Sequence, residues 1–309
     1  MSSFWEAMKA SLPLLFACAA LAARAENFQQ VYAKYGELIV TPFASAPFPH
    51  SQRADGHKYK DQLFPADKHY QDSTVAIFIP KGFRETGRID FVIHFHGWKN
   101  NVESVLRQFK LIEQLVESGR NAVLVVPQGP RDASDSFGGK LEDPDGFKRF
   151  MDEAMGALRQ KSSLKKQSAG IGRVVLSGHS GGYRVMSAIL DRGGLAPNLD
   201  EVWLFDALYA ETDKFLAWFD KKHGRLLNIY TERGGTKDDT EKMMADLKQR
   251  GTAFFAAKEA EAKPSDLRTN RPVFLYTELG HNDVLEKHQT FRQFLETSCL
   301  GEIKAAGQP

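Results

Sequence analysis

The sequence predicts an α/β fold, with a mostly parallel central sheet of about eight strands and helices on both faces. Three observations lead there. Apolar runs recur at 73–80, 88–97, 121–128, 173–179, 201–208, 225–232 and 271–278. They are continuous rather than alternating, as expected for strands covered on both faces. Helical patterns lie between them, and strand–helix alternation builds a sheet sandwiched between helices.

The elements follow in chain order. Lys9, an apolar run from Leu12 to Leu21, and Ala23-Arg24-Ala25 read as a signal peptide cut after Ala25, with export to the periplasm or the medium. The run is too short to span a bilayer, so no stable membrane insertion is expected after cleavage. A lipoprotein reading with Cys18 as the lipidated residue is weaker, because Phe16 is bulky for such a site. The chain's other cysteine is Cys299, so cleavage leaves no partner for an intramolecular disulfide.

Residues 26–309 are expected to form one domain, with its core over about 73–298. Residues 41–72, rich in Pro, His and Lys, read as a long irregular approach to the sheet. After the strands at 73–80 and 88–97, residues 101–119 carry Val102, Val105, Leu106, Phe109, Ile112 and Leu115 at helical spacing and stop at Gly119. The strand at 121–128 leads into an acidic loop, 129–146, placed to shape a site entrance. Further helices are expected at 145–160, 182–190, 212–221, 238–250 and 282–298. The connection at 209–224 is too short for a large cap domain. Net charge is +2 with scattered basic residues, which argues against a nucleic-acid surface.

Ligands of an open parallel sheet bind at the carboxyl ends of its strands, so the residues that follow each strand carry the functional reading. The run Val174–Ser177 enters Gly178-His179-Ser180-Gly181-Gly182 and then a helix. A sharp strand-to-helix turn there would hold Ser180 in a strained conformation and expose its hydroxyl. A bare G-x-S-x-G is weak evidence, and a plain tight turn or phosphate cradle competes with it; the strand before and helix after strengthen it.

A serine hydroxyl needs a base. Of nine histidines, His281 follows the last strand and so falls at the same sheet edge. The base needs an acid. Asp206, closing an apolar run, is the first candidate, since a charge in that setting must have a partner. Glu232, Asp238 and Asp239 compete, the aspartates also reading as helix N-terminal residues. An oxyanion hole needs preplaced N–H donors, assigned to Gly181 and, after the strand ending in His96-Gly97, to Trp98. His96, Gly97, His179 and Tyr209 are candidate substrate contacts. His94 and His96 share a strand face, but no third metal ligand is evident at a typical spacing, so neither metal nor cofactor is expected.

These residues, in this order, make the chain resemble a secreted serine hydrolase of the α/β-hydrolase superfamily, over roughly 73–298. The resemblance implies an eight-stranded, mostly parallel core and acyl-enzyme chemistry. It points first to an esterase with a Ser180–His281–Asp206 triad acting on a small-molecule or polymeric ester. A peptidase or amidase on the same fold, and a binding protein that has kept the fold without catalysis, are the alternatives.

Overall fold

The computed structural model describes residues 28–164 and 169–303. The expected leader, its cleavage site and Cys18 lie outside the described residues. In chain order the strands are β1 (Gly36–Pro42), β2 (His57–Tyr59), β3 (Gln62–Phe64), β4 (Thr74–Pro80), β5 (Arg88–Phe95), β6 (Val123–Pro127), β7 (Gly170–His179), β8 (Leu199–Phe205), β9 (Arg225–Thr231), β10 (Phe255–Lys258) and β11 (Val273–Thr277). The longer helices are α1 (Val102–Gln108), α2 (Leu111–Ser118), α3 (Gly146–Lys161), α4 (Tyr183–Arg192), α5 (Thr212–Lys222), α6 (Lys237–Gln249) and α7 (Thr290–Glu296).

A nine-stranded sheet runs in the order β1-β4-β6-β5-β7-β8-β9-β11-β10. The pairs β1–β4 and β4–β6 are antiparallel, and every other pair is parallel. All the expected strands are present. The two additions are the edge strands β1 and β10. The latter, Phe-Ala-Ala-Lys, is short and without β-branched residues, and its one strand-favouring residue, Phe255, is too little to mark a strand.

The continuous apolar runs have a direct structural reason. Along β7, Val174 and Leu176 pack into one core and Val175 into the other. Alternate side chains of one strand thus enter two separate cores, one on each face of the sheet. One core is closed by α3, through Phe147, Phe150 and Met151, and by α4 and α5. The other is closed by α1, α2 and α7, through Leu106, Ile112 and Phe291. Each fully buried side chain of this size contributes roughly 1.5–3 kcal/mol.

Three local expectations change. The helical pattern at 101–119 breaks in two because Lys110 adopts φ +48°, turning the chain between α1 and α2. The last helix is regular only over Thr290–Glu296, preceded by turns that end at Gln289, φ +53°. Residues 41–72 are not wholly irregular. They contain the β2–β3 hairpin, and Phe48, Phe64 and Tyr70 form a small core with Ala133 and Phe137 of the following loop.

Candidate active site

Ser180 follows β7 directly and leads through a short 3-10 turn into α4. Its φ is +54°, a left-handed conformation that costs a non-glycine residue about 1–2 kcal/mol. The turn is as tight as its flanking glycines allow. A Cβ at Gly178 would stand 2.4 Å from Met186 Sδ, and one at Gly182 would stand 2.6 Å from the Phe95 carbonyl oxygen. Strand and helix approach to a distance that only glycine permits. Gly97 is constrained from the other side: a Cβ there would sit 2.5 Å from Ser180 Cβ.

Of the candidate acids, Asp206 is the one that meets His281. Its Oδ2 accepts from His281 Nδ1 at 2.6 Å. Asp206 follows β8 at φ +45° and is fully buried. Four further features lock it. Thr231 donates to it through its N–H (3.2 Å) and its hydroxyl (2.8 Å), the Thr236 hydroxyl donates to Oδ1, and Gly234 packs so close that a Cβ would lie 1.8 Å from Oδ2. Burial pushes the Asp206 carboxyl up, but the bonds from His281, Thr236 and Thr231 outweigh it and hold it below the usual range. It is therefore a carboxylate, and the His281 proton resides on Nδ1. Glu232 instead pairs with Lys237 at the surface, and Asp238 and Asp239 occupy the first turn of α6.

Ser180 and His281 line one cavity of about 570 Å³ at the carboxyl ends of the parallel strands. His281 directs its hydrogen bonds to Asp206 and, through its carbonyl, to His179, not to Ser180. Such a nucleophile–base bond is often long in a free enzyme and tightens with substrate. Tyr209 lines the cavity too. Its hydroxyl donates to the Gly234 carbonyl at 2.6 Å, and burial pushes its phenol up to about 12.

His179 lines the cavity floor but is 3% exposed. Its Nε2 donates to the His281 carbonyl at 2.9 Å, its ring lies 4.6 Å from that of His281, and Phe109 packs on it at 5.0 Å. Burial lowers its pKa to about 3, so it stays neutral. Its position suits support of the His281 loop.

His96 and Gly97 do not line the cavity, against the expectation that they contact substrate. His96 is buried behind it. Its Nε2 accepts from the Gly129 N–H (2.9 Å) and Gln128 Nε2 (3.0 Å), which leaves the proton on Nδ1 to donate to the Gly97 carbonyl at 2.8 Å. His96 thus fixes the loop that carries Trp98. His94 bonds Ser177 at 2.9 Å from the neighbouring strand. Among the described residues no group of three or more His, Cys, Asp or Glu is arranged to hold a metal.

Trp98 leans over Gly181, where a Cβ would be 2.8 Å from its ring, and its indole N–H donates to Ser136 Oγ at 2.7 Å. Sequence reasoning missed Lys99, Asn100, Gln108, Ser136, Tyr183 and Asn282 as cavity residues. Of these, Ser136 had a usable signal, its place in the loop after β6. Arg131 and Asp132 of that loop are engaged elsewhere, with Asp72 and Asn101, and do not line the cavity.

No protein-family model matches the sequence, and neither does any curated protein. Solved structures do match the fold. FphF, a fluorophosphonate-binding serine hydrolase of Staphylococcus aureus, is 11% identical with a TM-score of 0.52, over 85% of this chain and 99% of that one. A ferulic acid esterase is 11% identical with a TM-score of 0.51, over 84% and 99%. The feruloyl esterase module from Clostridium thermocellum is 10% identical with a TM-score of 0.51, over 85% and 88%. At such identities the likeness is one of fold, and it agrees with a large, mostly parallel sheet flanked by helices. The chain has the α/β-hydrolase fold.

Proposed function

We propose that the protein is an exported serine hydrolase that cleaves carboxylic esters through an acyl-enzyme, with Ser180 as nucleophile, His281 as base and Asp206 as the orienting acid. One observation carries this reading: a serine held at φ +54° between β7 and α4 shares a cavity with a histidine whose Nδ1 is bonded to a fully buried carboxylate. A strained serine, an oriented imidazole and a sealed anion are what a hydroxyl needs to become a nucleophile.

In the proposed cycle His281 Nε2 takes the Ser180 proton as Oγ attacks the ester carbonyl. The oxyanion is received by the N–H groups of Gly181 and Trp98. Gly181 opens the helical run, where N–H groups have no partner within the helix. Trp98 lies beside it on the loop held by His96. The imidazolium, stabilised by the Asp206 carboxylate, then protonates the leaving alcohol. Water repeats the sequence on the acyl-enzyme, restoring Ser180 and releasing the acid.

The test is labelling by a fluorophosphonate, followed by a panel of chromogenic esters and peptide amides on the protein lacking residues 1–25. The expected result is stoichiometric labelling at Ser180 with turnover of esters. Unlabelled Ser180, or a Ser180→Ala variant with undiminished turnover, would overturn the assignment. Export is tested separately, by N-terminal sequencing of protein recovered outside the cytoplasm, with Glu26 expected as the first residue.

A further inference from the structure

We propose that the cavity selects esters that carry an anionic group, and that Lys99 is the residue that reads the charge; this rests on the serine-hydrolase reading above. The composition of the wall is the starting point. Apart from Gly181, its side chains are aromatic, hydroxyl, imidazole, carboxamide or ammonium, and none is aliphatic. A slot for a long alkyl chain would be lined by such groups, so the wall is built for a short polar substrate. Asn100, Gln108 and Asn282 supply the carboxamides, which orient polar groups but carry no charge.

The charge balance inside the cavity is one-sided. Lys99 is the lining ammonium, and no lining residue is acidic. Among the described residues Lys99 forms no ion pair, whereas three acids close in sequence to cavity residues are engaged. Asp206 is fully buried against His281, Asp132 accepts from Asn101 and faces Arg131, and Asp283 pairs with Lys287. Asp61 lies in the hairpin turn and does not line the cavity.

The position of Lys99 is fixed by its backbone. It adopts φ +53°, and its N–H donates to the Ala133 carbonyl at 2.8 Å. A left-handed lysine carries a strain that the loop contact must hold in place. The hairpin that carries Lys60 and Asp61 lies beside it. Tyr59 of the β2–β3 hairpin packs edge-on against Trp98 at 4.7 Å, which brings the hairpin to the rim, and Lys60 Nζ lies 5.5 Å from the Tyr59 ring. A lining cation that makes no ion pair among the described residues, in the cavity that holds the nucleophile and has no acidic lining residue, attracts a carboxylate or phosphate on the substrate.

The experiment uses two matched pairs of chromogenic esters on the full mature chain. In one pair the acyl chain ends in a carboxylate or in a methyl group at equal length. In the other the carboxylate or a carboxamide sits on the phenol leaving group. For at least one pair we expect kcat/KM to favour the anionic member about fivefold at low salt, the size of one exposed charge contact, and the preference to shrink as salt rises. Lys99→Gln should abolish that ratio, Lys99→Glu should reverse it, and Lys99→Arg should keep it. A wild-type ratio of one in both pairs, or a ratio that survives Lys99→Gln, would overturn the inference. Labelling of Ser180 by a neutral fluorophosphonate separates the two claims. Labelling without charge preference removes the role of Lys99 alone, and absence of labelling removes both.

Discussion

The molecule contains two histidine–carboxylate couples that are almost chemical twins. In one, His281 Nδ1 meets Asp206 at 2.6 Å, and Thr231 and Thr236 donate to the same carboxylate. In the other, His288 Nδ1 meets Glu259 at 3.0 Å, and Thr277 and Thr290 donate to that carboxylate at 2.6 and 2.8 Å. Both carboxylates are buried. The difference lies in what the histidine faces. His281 opens into the cavity that holds Ser180, whereas His288 is half exposed and does not line that cavity. A hydrogen-bonded histidine–carboxylate couple is therefore a way to staple a loop, and it becomes chemistry only where the strand order delivers a nucleophile.

That contrast can be broken or sharpened by substitution. The largest effect is expected from Ser180→Ala, with ester turnover falling on the order of 10⁶-fold. Asp206→Asn should follow, lowering kcat about 10⁴-fold by loss of the correct imidazole tautomer. Its twin, Glu259→Gln, should leave kcat/KM within about twofold and instead lower stability by about 1–3 kcal/mol, read as a drop in Tm. If Glu259→Gln removed activity as Asp206→Asn does, the distinction between the couples would collapse.

Acid stability offers a third probe. His179 is depressed from the ordinary 6.5 to about 3 by burial, so the unfolded chain takes up its proton first as pH falls. Its contribution is fully present above 6.5 and is lost progressively between 6.5 and about 3. The folded state should therefore weaken across that window, and His179→Gln, which binds no proton, should make the slope of urea stability against pH shallower there. An unchanged slope would show that His179 is not buried as a neutral ring. The smallest effect belongs to Glu232→Gln, which breaks a surface pair with Lys237 and should leave turnover within about twofold, as befits a carboxylate outside the cavity.

Much of this was legible in the chain because it is encoded locally. The elbow needs a strand, a serine and close-packing glycines within about ten residues, and all of these stand together in Val174–Gly182. The edge strands were harder. β1 carries an apolar stretch that went unread just ahead of the irregular segment 41–72, and β10 has Phe255 as its one strand-favouring residue. Within the site, the locking of Asp206 by Thr231, Thr236 and Gly234 left no local trace, because the strand-end segment that supplies them carries competing acids at Glu232 and Asp238. The role of His96 was misjudged for a related reason. Its neighbours Gln128 and Gly129 are more than thirty residues away, and only their hydrogen bonds show that the ring faces the loop and not the substrate.

By itself, the sequence determined the layered sheet, the seven main strands, the serine turn and the histidine that follows the last strand. These rest on hydrophobic periodicity and backbone sterics, which act between neighbours along the chain. The tertiary structure alone decided which carboxylate meets His281, which side chains wall the cavity, and that Lys99 lines it without an ion pair among the described residues. Those outcomes depend on strand order and on distances between residues far apart in sequence. Charge, burial and hydrogen-bond geometry can assign them only after the parallel strands have brought their carboxyl ends to one edge.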